Sequence, residues 1–438
     1  MADSQLSYYI GGVKKTIDFR DILLKDSDLA TYNIVDIEGN VHASLSAFFR
    51  TLMNDADAGA VFTTLGVSAF VQTMFDDANA AAVKTTLGVD LGGLGVSTFI
   101  QTLTDDTTAA AARDTLLIPN KNYTIDPNFE IWPEGTSITN TTGNDFYGSV
   151  LTGGNCGTGG SPSLTVSRQA FTLGQTDVPG EPKYFLRGDL TVAASVNQPY
   201  LYHKIESVRT NANGSITVTA YMKAGASINV DIDYVQNFGT TGSPSSDVTI
   251  ASQSQALTTS WTKITKTFTV ASISGKTLGT DDNDHLQLRI KYPLAATNIV
   301  DVSSLKQEEG IVSTDLGIVD FGNESFKSQR YYEKTYNLSV SPGTVVSILS
   351  GQATHQKYIG ESYLLAEYYK VIKRSIPVVT IYNPVTGSSG YIRNDSGSTN
   401  ETGTVVSSSV FSHFVNRTSG SPTTGHSFYY CWVADSRL

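Results

Sequence analysis

A short segment repeats three times in the N-terminal third of the chain and limits what this region can fold into. Its copies begin at Ser46, Ser68 and Ser97, and a seven-residue insert, residues 90–96, precedes the third copy. Each copy ends in an Asn-Asp or Asp-Asp pair followed by a stretch that contains Ala. Acidic residues favour helix starts, Ala favours helix interiors and Gly favours helix ends. Residues 46–120 therefore predict a series of short capped helices, each about ten residues long.

Helices of this length are marginal in water, because they need a packing partner to become stable. One interpretation is a small helical solenoid inside a monomer. The other is self-association, in which the short helices of several chains pack around a shared axis. The repeat favours the second interpretation, because its apolar groups form only a thin core within one chain.

From residue 120 onward, apolar and polar side chains alternate in short runs separated by Gly, Pro, Asn, Ser and Thr. Alternation with a period of two predicts antiparallel strands with one buried face, hence a sandwich or a barrel. The clearest runs are residues 216–223, 228–234 and 286–292. A polar helix or linker is predicted at 322–336, before a second β-region. Its predicted strands are 345–349, 369–374, 376–382, 405–411 and 427–433.

Composition excludes several classes of function. The formal net charge is −11 without basic blocks, which argues against nucleic-acid partners and anionic membranes. The first ten residues lack a basic segment followed by an apolar run, and no apolar stretch is long enough to span a bilayer. Cys156 and Cys431 allow one long-range disulfide at most, and isolated cysteines more often pack as small hydrophobic residues.

Catalytic motifs are absent from the sequence. It has no His-Glu-x-x-His, no Gly-x-Ser-x-Gly and no phosphate-binding loop of the Walker type, and its six histidines show no paired spacing. Glycosidases use a pair of carboxylates, and the sequence neither selects nor excludes such a pair among Glu206, Asp231 and Asp233. The sequence therefore predicts a protein that is not an enzyme.

Several segments resemble bacteriophage tail fibres. The Asp-Asp-x-x-Ala-Ala-Ala-x-x-x-Thr-Leu-Gly-Val unit at 76–89 is similar to the helical repeats of fibre shafts. Asn-Phe-Glu-Ile-Trp-Pro-Glu-Gly-Thr at 128–136 resembles the opening of a jelly roll like those of carbohydrate-binding modules, and 302–310 resembles its closing strand. Residues 378–387 and 430–438 resemble the C-terminal tip domain of the same fibres.

This resemblance implies a trimeric, multi-domain and mainly β protein. The implied domains are a tail-attachment segment at 1–45, a helical repeat shaft at 46–120, a jelly roll at 121–312, a linker or short helix at 313–335 and a second antiparallel β-sandwich, the tip domain, at 336–438. The implied protein is a receptor-binding protein on the virion tail, made in the bacterial host cytoplasm. Its implied partners are two further copies of itself, a tail or baseplate protein bound by the N-terminus, and bacterial surface polysaccharide. A tail-borne polysaccharide depolymerase and a purely structural tail spacer are the alternatives.

Sugar recognition needs aromatic faces together with amide and guanidinium groups that meet hydroxyls. These residue types mark the candidate glycan-binding residues Tyr221, Tyr234, Gln287 and Arg289 in the jelly roll, and Tyr382, Asn383, Tyr391, Arg393 and His413 in the tip. Loops 383–400 and 415–426 are the preferred contact surfaces. The three tryptophans, Trp132, Trp261 and Trp432, are predicted to be core anchors. No cofactor is expected, except that the resemblance implies a structural calcium ion between Glu130 and Asp301.

Overall fold

A computed structural model describes residues 121–357, 366–420 and 423–438, together with four strands and a few single positions nearer the N-terminus. The chain divides into two compact units, residues 1–116 and residues 117–438. In the described ranges, no helix combines the length and the apolar character needed to cross a bilayer.

The first unit contains two antiparallel strand pairs, β1 (Gln5–Ile10) with β2 (Val13–Asp18) and β3 (Asn33–Val35) with β4 (Val41–Ser44). The predicted helical shaft lies almost wholly outside the described residues. At two of its described positions the backbone makes bonds of the α-helical type, from Leu65 N to Val61 O (2.9 Å) and from Leu116 N to Ala112 O (3.0 Å).

The second unit begins with two six-stranded sheets. Their strands are β5 (Ser137–Asn140), β6 (Asp145–Tyr147), β7 (Thr152–Asn155), β8 (Ser163–Ala170), β9 (Tyr184–Val192), β10 (Tyr200–Glu206), β11 (Ser215–Ala224), β12 (Ile228–Asn237), β13 (Val248–Leu257), β14 (Thr262–Thr269), β15 (His285–Lys291) and β16 (Asn298–Glu309). Sheet I has the order β13-β12-β15-β10-β7-β6, and sheet II has the order β14-β11-β16-β9-β8-β5.

The order of these strands defines a jelly roll. The set β10-β15-β12-β13 in sheet I and the set β9-β16-β11-β14 in sheet II form the two four-stranded halves of an eight-stranded double Greek key. All described strand pairs of both sheets are antiparallel. The prediction of an antiparallel jelly roll is confirmed, and the three alternating runs are strands β11, β12 and β15.

Alternation along the strands builds the core between the sheets. Leu288 and Ile290 of β15 point inward, as do Val230 and Ile232 of β12, and the residues between them face outward. Trp132 is fully buried in the same core, and its indole Nε1 donates to the carbonyl of Phe129 (2.8 Å). The outer faces of both sheets are therefore the places where polar side chains collect.

The C-terminal region follows one helix, α1 (Phe321–Gln329), whose first turn is capped by the Asp320 carboxylate. Its strands are β17 (Tyr332–Lys334), β18 (Thr354–Lys357), β19 (Glu367–Tyr368), β20 (Val378–Tyr382), β21 (Tyr391–Asn394), β22 (Thr399–Ser408), β23 (Ser412–Arg417) and β24 (Ser427–Asp435). All eight join one antiparallel sheet, in which β24 pairs with four others. This connected sheet differs from the second two-sheet sandwich that the sequence predicted.

Two predicted strands of this region are wrong. Residues 345–349 and 369–374 contain no strand. Their backbone makes single hydrogen bonds to neighbouring loops, such as Val346 N to Pro384 O and Lys373 N to Val410 O, instead of a ladder. Lys373 points into the protein, where it pairs with Glu333, so the alternation there does not mark a sheet face.

The C-terminal sheet packs against the jelly roll through a small shared core. Ile131, Val150 and Leu151 contact Tyr331, Tyr332 and Val433 there. On sheet I, the Lys204 ammonium donates to the Leu438 carbonyl (3.0 Å), and the Glu206 carboxylate accepts from Arg330 and Tyr331. These contacts cover one end of the outer face of sheet I and leave the Tyr200 end of β10 open. Cys156 and Cys431 are both buried and free.

Candidate functional site

A cavity of about 390 Å³ opens at the uncovered end of the outer face of sheet I. We call it the sheet I pocket. It is lined by Gly143, Asn155, Gly157, Thr158, Asn197, Gln198, Tyr200, Arg289 and Lys291. Its volume lies within the usual range for small-ligand sites, about 300–1,000 Å³.

Strand register brings the main side chains of the pocket together. Tyr200 of β10 lies opposite Lys291 of β15 on one side and opposite Asn155 of β7 on the other. Arg289 lies two residues before Lys291 and therefore on the same face of β15. An aromatic ring, an amide and two cations thus share one patch of sheet.

A buried carboxylate holds the two cations in place. Asp233 of β12 is fully buried, and its oxygens accept from Arg289 Nε (2.8 Å) and Nη2 (2.9 Å) and lie 2.9 Å from Lys291 Nζ. Burial opposes ionisation of this carboxyl, but the hydrogen bonds and charges of Arg289 and Lys291 outweigh it and lower its pKa. Asp233 is therefore charged at neutral pH and fixes both cations.

Both cations keep hydrogen-bond donors that Asp233 does not use. A guanidinium has five N–H groups, and two of those on Arg289 are bonded to Asp233. Lys291 uses two of its three, on Asp233 and on the Ser252 hydroxyl (2.9 Å). Within the described ranges the remaining donors, three on Arg289 and one on Lys291, have no protein partner.

The Tyr200 ring is also held in place. Its hydroxyl donates to the Asp145 carboxylate (2.8 Å), and the Arg289 guanidinium lies 5.5 Å from the centre of its ring. Asp145 in turn accepts from Gln287 (3.3 Å) and lies 3.3 Å from the Lys204 ammonium. Burial and the nearby Asp145 charge raise the pKa of Tyr200, so the phenol stays neutral and can donate.

Two loops in close contact form the polar wall of the pocket. Gly157 has φ +73°, and a Cβ atom there would lie 2.3 Å from the Asn197 carbonyl oxygen. Only glycine therefore permits this approach. The Asn197 amide donates to the Thr158 hydroxyl (2.9 Å), and the Asn155 side-chain oxygen accepts from Gly157 N (2.7 Å).

The jelly-roll residues predicted from the sequence occupy three different places. Arg289 lines the sheet I pocket, and Gln287 lies beside it on Asp145. Tyr234 is wrong as a contact residue, because it is fully buried between the sheets with its hydroxyl on Gln307 (2.8 Å). Tyr221 lies on the opposite face of the sandwich.

Tyr221 lines a second cavity, the sheet II groove, of about 650 Å³. Glu130 and Lys263 line it too, and Lys263 is within 3.8 Å of the Asp315 carboxylate. Its one buried cation, Lys306, is paired with Glu308 (2.9 Å). The charges of this groove therefore offset one another within the protein.

The predicted tip residues are not part of the sheet I pocket. Asn383 is fully buried and bonds the backbone at Val385, Thr386 and Ile392, so it shapes a turn. His413 is 1% exposed between Tyr369 and Trp432. Both are wrong as contact residues, since neither side chain is accessible. The other three, Tyr382, Tyr391 and Arg393, are half-buried or exposed on the C-terminal sheet.

The tryptophan prediction holds for Trp132 and Trp432, which are buried. Trp261 is half-buried instead, and packs against Phe171 and Phe185 with ring centres 5.3 Å apart in each case. This aromatic cluster lies outside the sheet I pocket.

Cationic side chains surround Asp301, where the resemblance implies a calcium ligand, and the calcium ion itself stays a prediction. This carboxylate is 1% exposed and accepts from both Arg187 Nε and Nη2 (2.8 Å each), while Lys223 lies 3.9 Å away. Its counter-charge is thus supplied by side chains. Among the described residues no group of three His, Cys, Asp or Glu side chains could hold a metal ion.

Sequence reasoning missed most of the pocket. None of the alternating runs picked out in the sequence covers β7 or β10. The alternation of Tyr200 and Tyr202 with the buried Leu201 is the signal that could have identified β10. The contact between the loops around Gly157 and Asn197 has no signal in the sequence.

Comparisons with known proteins gave structural neighbours only. The chain matches no protein-family model, and no curated protein matches it. One similar structure is a family 11 carbohydrate-binding module from Clostridium thermocellum in complex with a mixed-linked tetrasaccharide (14% identity, TM-score 0.26, 41% of this chain and 98% of that chain). Another is a putative sugar-binding protein from Bacteroides thetaiotaomicron (13%, 0.27, 43% and 100%).

The enzymatically active domain of tailspike protein 4 from bacteriophage CBA120 is a third neighbour (7% identity, TM-score 0.27, 43% of this chain and 21% of that chain). All three identities are below 25% and all three TM-scores are below 0.5. These similarities therefore establish no function for the chain.

Proposed function

We propose that this chain is a receptor-binding protein of a phage tail fibre, and that its sheet I pocket binds glycans of the bacterial surface without cleaving them. The observation that carries this proposal is a built pocket. A fixed aromatic ring, Tyr200, lies beside unused donors on Arg289 and Lys291 that a buried carboxylate holds in position.

Each part of the pocket suits one part of a sugar. The Tyr200 ring offers an apolar surface to the C–H face of a pyranose. The free N–H groups of Arg289 and Lys291 meet ring and hydroxyl oxygens, while the amides of Asn197 and Gln198 both donate and accept. Because Asp233 and Asp145 already hold these groups, binding costs little side-chain entropy.

The proposed trimer and its attachment to the phage tail are supported by the sequence resemblance alone. The repeats at 46–120 supply a trimeric stalk, and the N-terminal segment attaches it to a tail or baseplate protein. Three copies of the pocket on one fibre would convert weak single contacts into high overall avidity.

The electrostatics of the pocket favour binding over hydrolysis. A glycosidase needs one carboxylic acid whose pKa is raised, so that it can protonate the leaving group. Asp233 and Glu206 are two of the three carboxyls considered above for a glycosidase. Burial would raise the pKa of each, but neighbouring cations and hydrogen bonds outweigh burial and lower it. A depolymerase that uses either residue as its acid therefore lacks support.

The proposal is tested by filling the pocket. Thr158 is an exposed rim residue that makes no contact with Asp233, so Thr158→Tyr should fill the pocket and leave the fold intact. Ser274→Tyr, on an exposed loop that does not line the pocket, is the matched control. Both full-length proteins and the wild type are applied to an array of bacterial polysaccharides and tested as competitors of virion adsorption.

We expect wild type and Ser274→Tyr to bind glycans and block adsorption, and Thr158→Tyr to do neither. Array binding by all three proteins would place the glycan site elsewhere. Binding by none would leave the spacer alternative, and release of reducing ends from the polysaccharide would favour the depolymerase.

A further inference from the structure

The charge of the sheet I pocket defines the class of sugar that it binds, provided that the pocket binds sugar as proposed above. Two cations, Arg289 and Lys291, share one carboxylate, Asp233, which leaves one positive charge unneutralised. The nearest further carboxylate across the strands is Asp231, opposite Lys291 in the register. In the described part of the chain Asp231 makes no ion pair with Lys291, and it does not line the pocket.

The second anion of this patch, Asp145, does not supply the missing charge. It is paired with its own cation, Lys204 (3.3 Å), and accepts from the Tyr200 hydroxyl. Among the ion-paired side chains of this patch, the three cations Arg289, Lys291 and Lys204 meet the two carboxylates Asp233 and Asp145. An occupant that carries one negative charge would complete the balance.

The free donors have the geometry that a carboxylate uses. Arg289 keeps three N–H groups on a planar fork whose orientation is fixed by two bonds to Asp233, and Lys291 adds one more from the same face of β15. Charge-assisted bonds from a guanidinium to a carboxylate are stronger than those to a hydroxyl. We infer that the sheet I pocket binds a sugar unit that carries a carboxylate, as in an acidic bacterial polysaccharide.

The rest of the pocket favours a sugar acid over a small inorganic anion. Tyr200 and Gln198 line the same cavity, and a bare phosphate held by the two cations would make no use of the apolar Tyr200 ring. The chain as a whole is acidic, with a formal net charge of −11, which disfavours unspecific attraction of polyanions. A preference for acidic sugars must therefore arise at the pocket itself.

Matched ligands test this inference on the full-length protein. Isothermal titration compares trigalacturonate, a hyaluronan tetrasaccharide and sialyllactose, each with its methyl ester, which removes the charge and keeps the rings. We expect at least one acid to bind about tenfold more tightly than its ester, since a charge-assisted bond replaces a neutral one. Inorganic phosphate is the third arm, and should bind more weakly than that acid.

Two variants locate the effect. Arg289→Gln should reduce the affinity for the acid to that for its ester, and Thr158→Tyr, which leaves the Asp233 pairs untouched, should abolish both. If Arg289→Gln fails to fold, the loss of binding in Thr158→Tyr against the Ser274→Tyr control still places the site.

Equal binding of acid and ester, tight binding of phosphate alone, or a preference that survives Thr158→Tyr would overturn the inference. If the protein binds esters or neutral polysaccharides as well as it binds acids, the preference for acidic sugars is wrong but the proposed glycan-binding function still stands. Absence of binding to every glycan here and on the polysaccharide array would overturn both.

Discussion

Asp233→Asn is the sharpest perturbation of this architecture, because one buried carboxylate accepts four hydrogen bonds. These come from Arg289 (two), Lys291 and Ser252, at 2.8–3.0 Å. The amide keeps the shape and removes the charge, so two cations lose their common counter-ion. Breaking a buried ion pair costs about 3–5 kcal/mol. The low end, about 3 kcal/mol, applies here because the Arg289 and Lys291 side chains remain 21% and 15% exposed.

Thermal unfolding measures this cost. About 3 kcal/mol corresponds to a fall of roughly 4 °C in Tm for the compact unit of residues 117–438. The pKa of Asp233 is lowered in the folded protein, so its stabilisation is present above the unfolded value of about 3.9 and lost as pH falls through the folded value. The difference in Tm between the wild type and Asp233→Asn should therefore become smaller below about pH 4.

Asp231→Asn is the matched control for this experiment. It makes the same chemical change two residues away on β12, at a carboxylate with no ion pair among the described residues, and should change stability by less than about 0.5 kcal/mol. Equal Tm values for Asp233→Asn and Asp231→Asn would refute the role assigned to Asp233.

Three further substitutions test other parts of the structure. Gly157→Ala should lower Tm more than Gly180→Ala. Both glycines have positive φ, but only at position 157 would the new Cβ atom lie against a carbonyl oxygen, that of Asn197. Equal losses of Tm would contradict the loop contact. Burial lowers the pKa of His413 to about 4, so between pH 6.5 and 4 the unfolded chain binds more protons than the folded protein, and the free energy of unfolding falls as the pH falls. His413→Phe should remove up to about 3 kcal/mol of that fall, as measured by denaturant titrations at several pH values. The same pH dependence in the variant and the wild type would contradict this. Lys373→Met leaves Glu333 buried without its cation and should lower the free energy of unfolding by about 3 kcal/mol in the same titrations. The double variant Lys373→Met/Glu333→Leu should recover most of this lost stability, because no unpaired charge stays buried. A double variant as unstable as the single one would contradict this.

Alternation predicted the antiparallel strands of a sandwich or barrel, and the resemblance of residues 128–136 and 302–310 added the jelly roll. The pattern at 216–223 and 286–292 is strict, and these residues are β11 and β15. The same signal failed at 369–374, where Lys373 is buried with Glu333 and a polar position therefore does not mark an exposed face.

The candidate site was less predictable, because its residues come from distant parts of the sequence. Arg289 was identified by its residue type on an outward strand position. Tyr200 and Asn155 become its neighbours only through the register of three strands, and Asn197 only through a loop contact at Gly157. Tyr234 shows the opposite error, since an aromatic residue typical of sugar sites instead fills the core.

A crystal structure of the full-length protein, soaked with the oligosaccharide that binds most tightly in the titrations, tests most directly whether the sheet I pocket is a sugar site. We expect a sugar ring against Tyr200 with its carboxylate on Arg289 and Lys291. Oligosaccharide bound in the sheet II groove or on the C-terminal sheet, with the sheet I pocket empty, would contradict it.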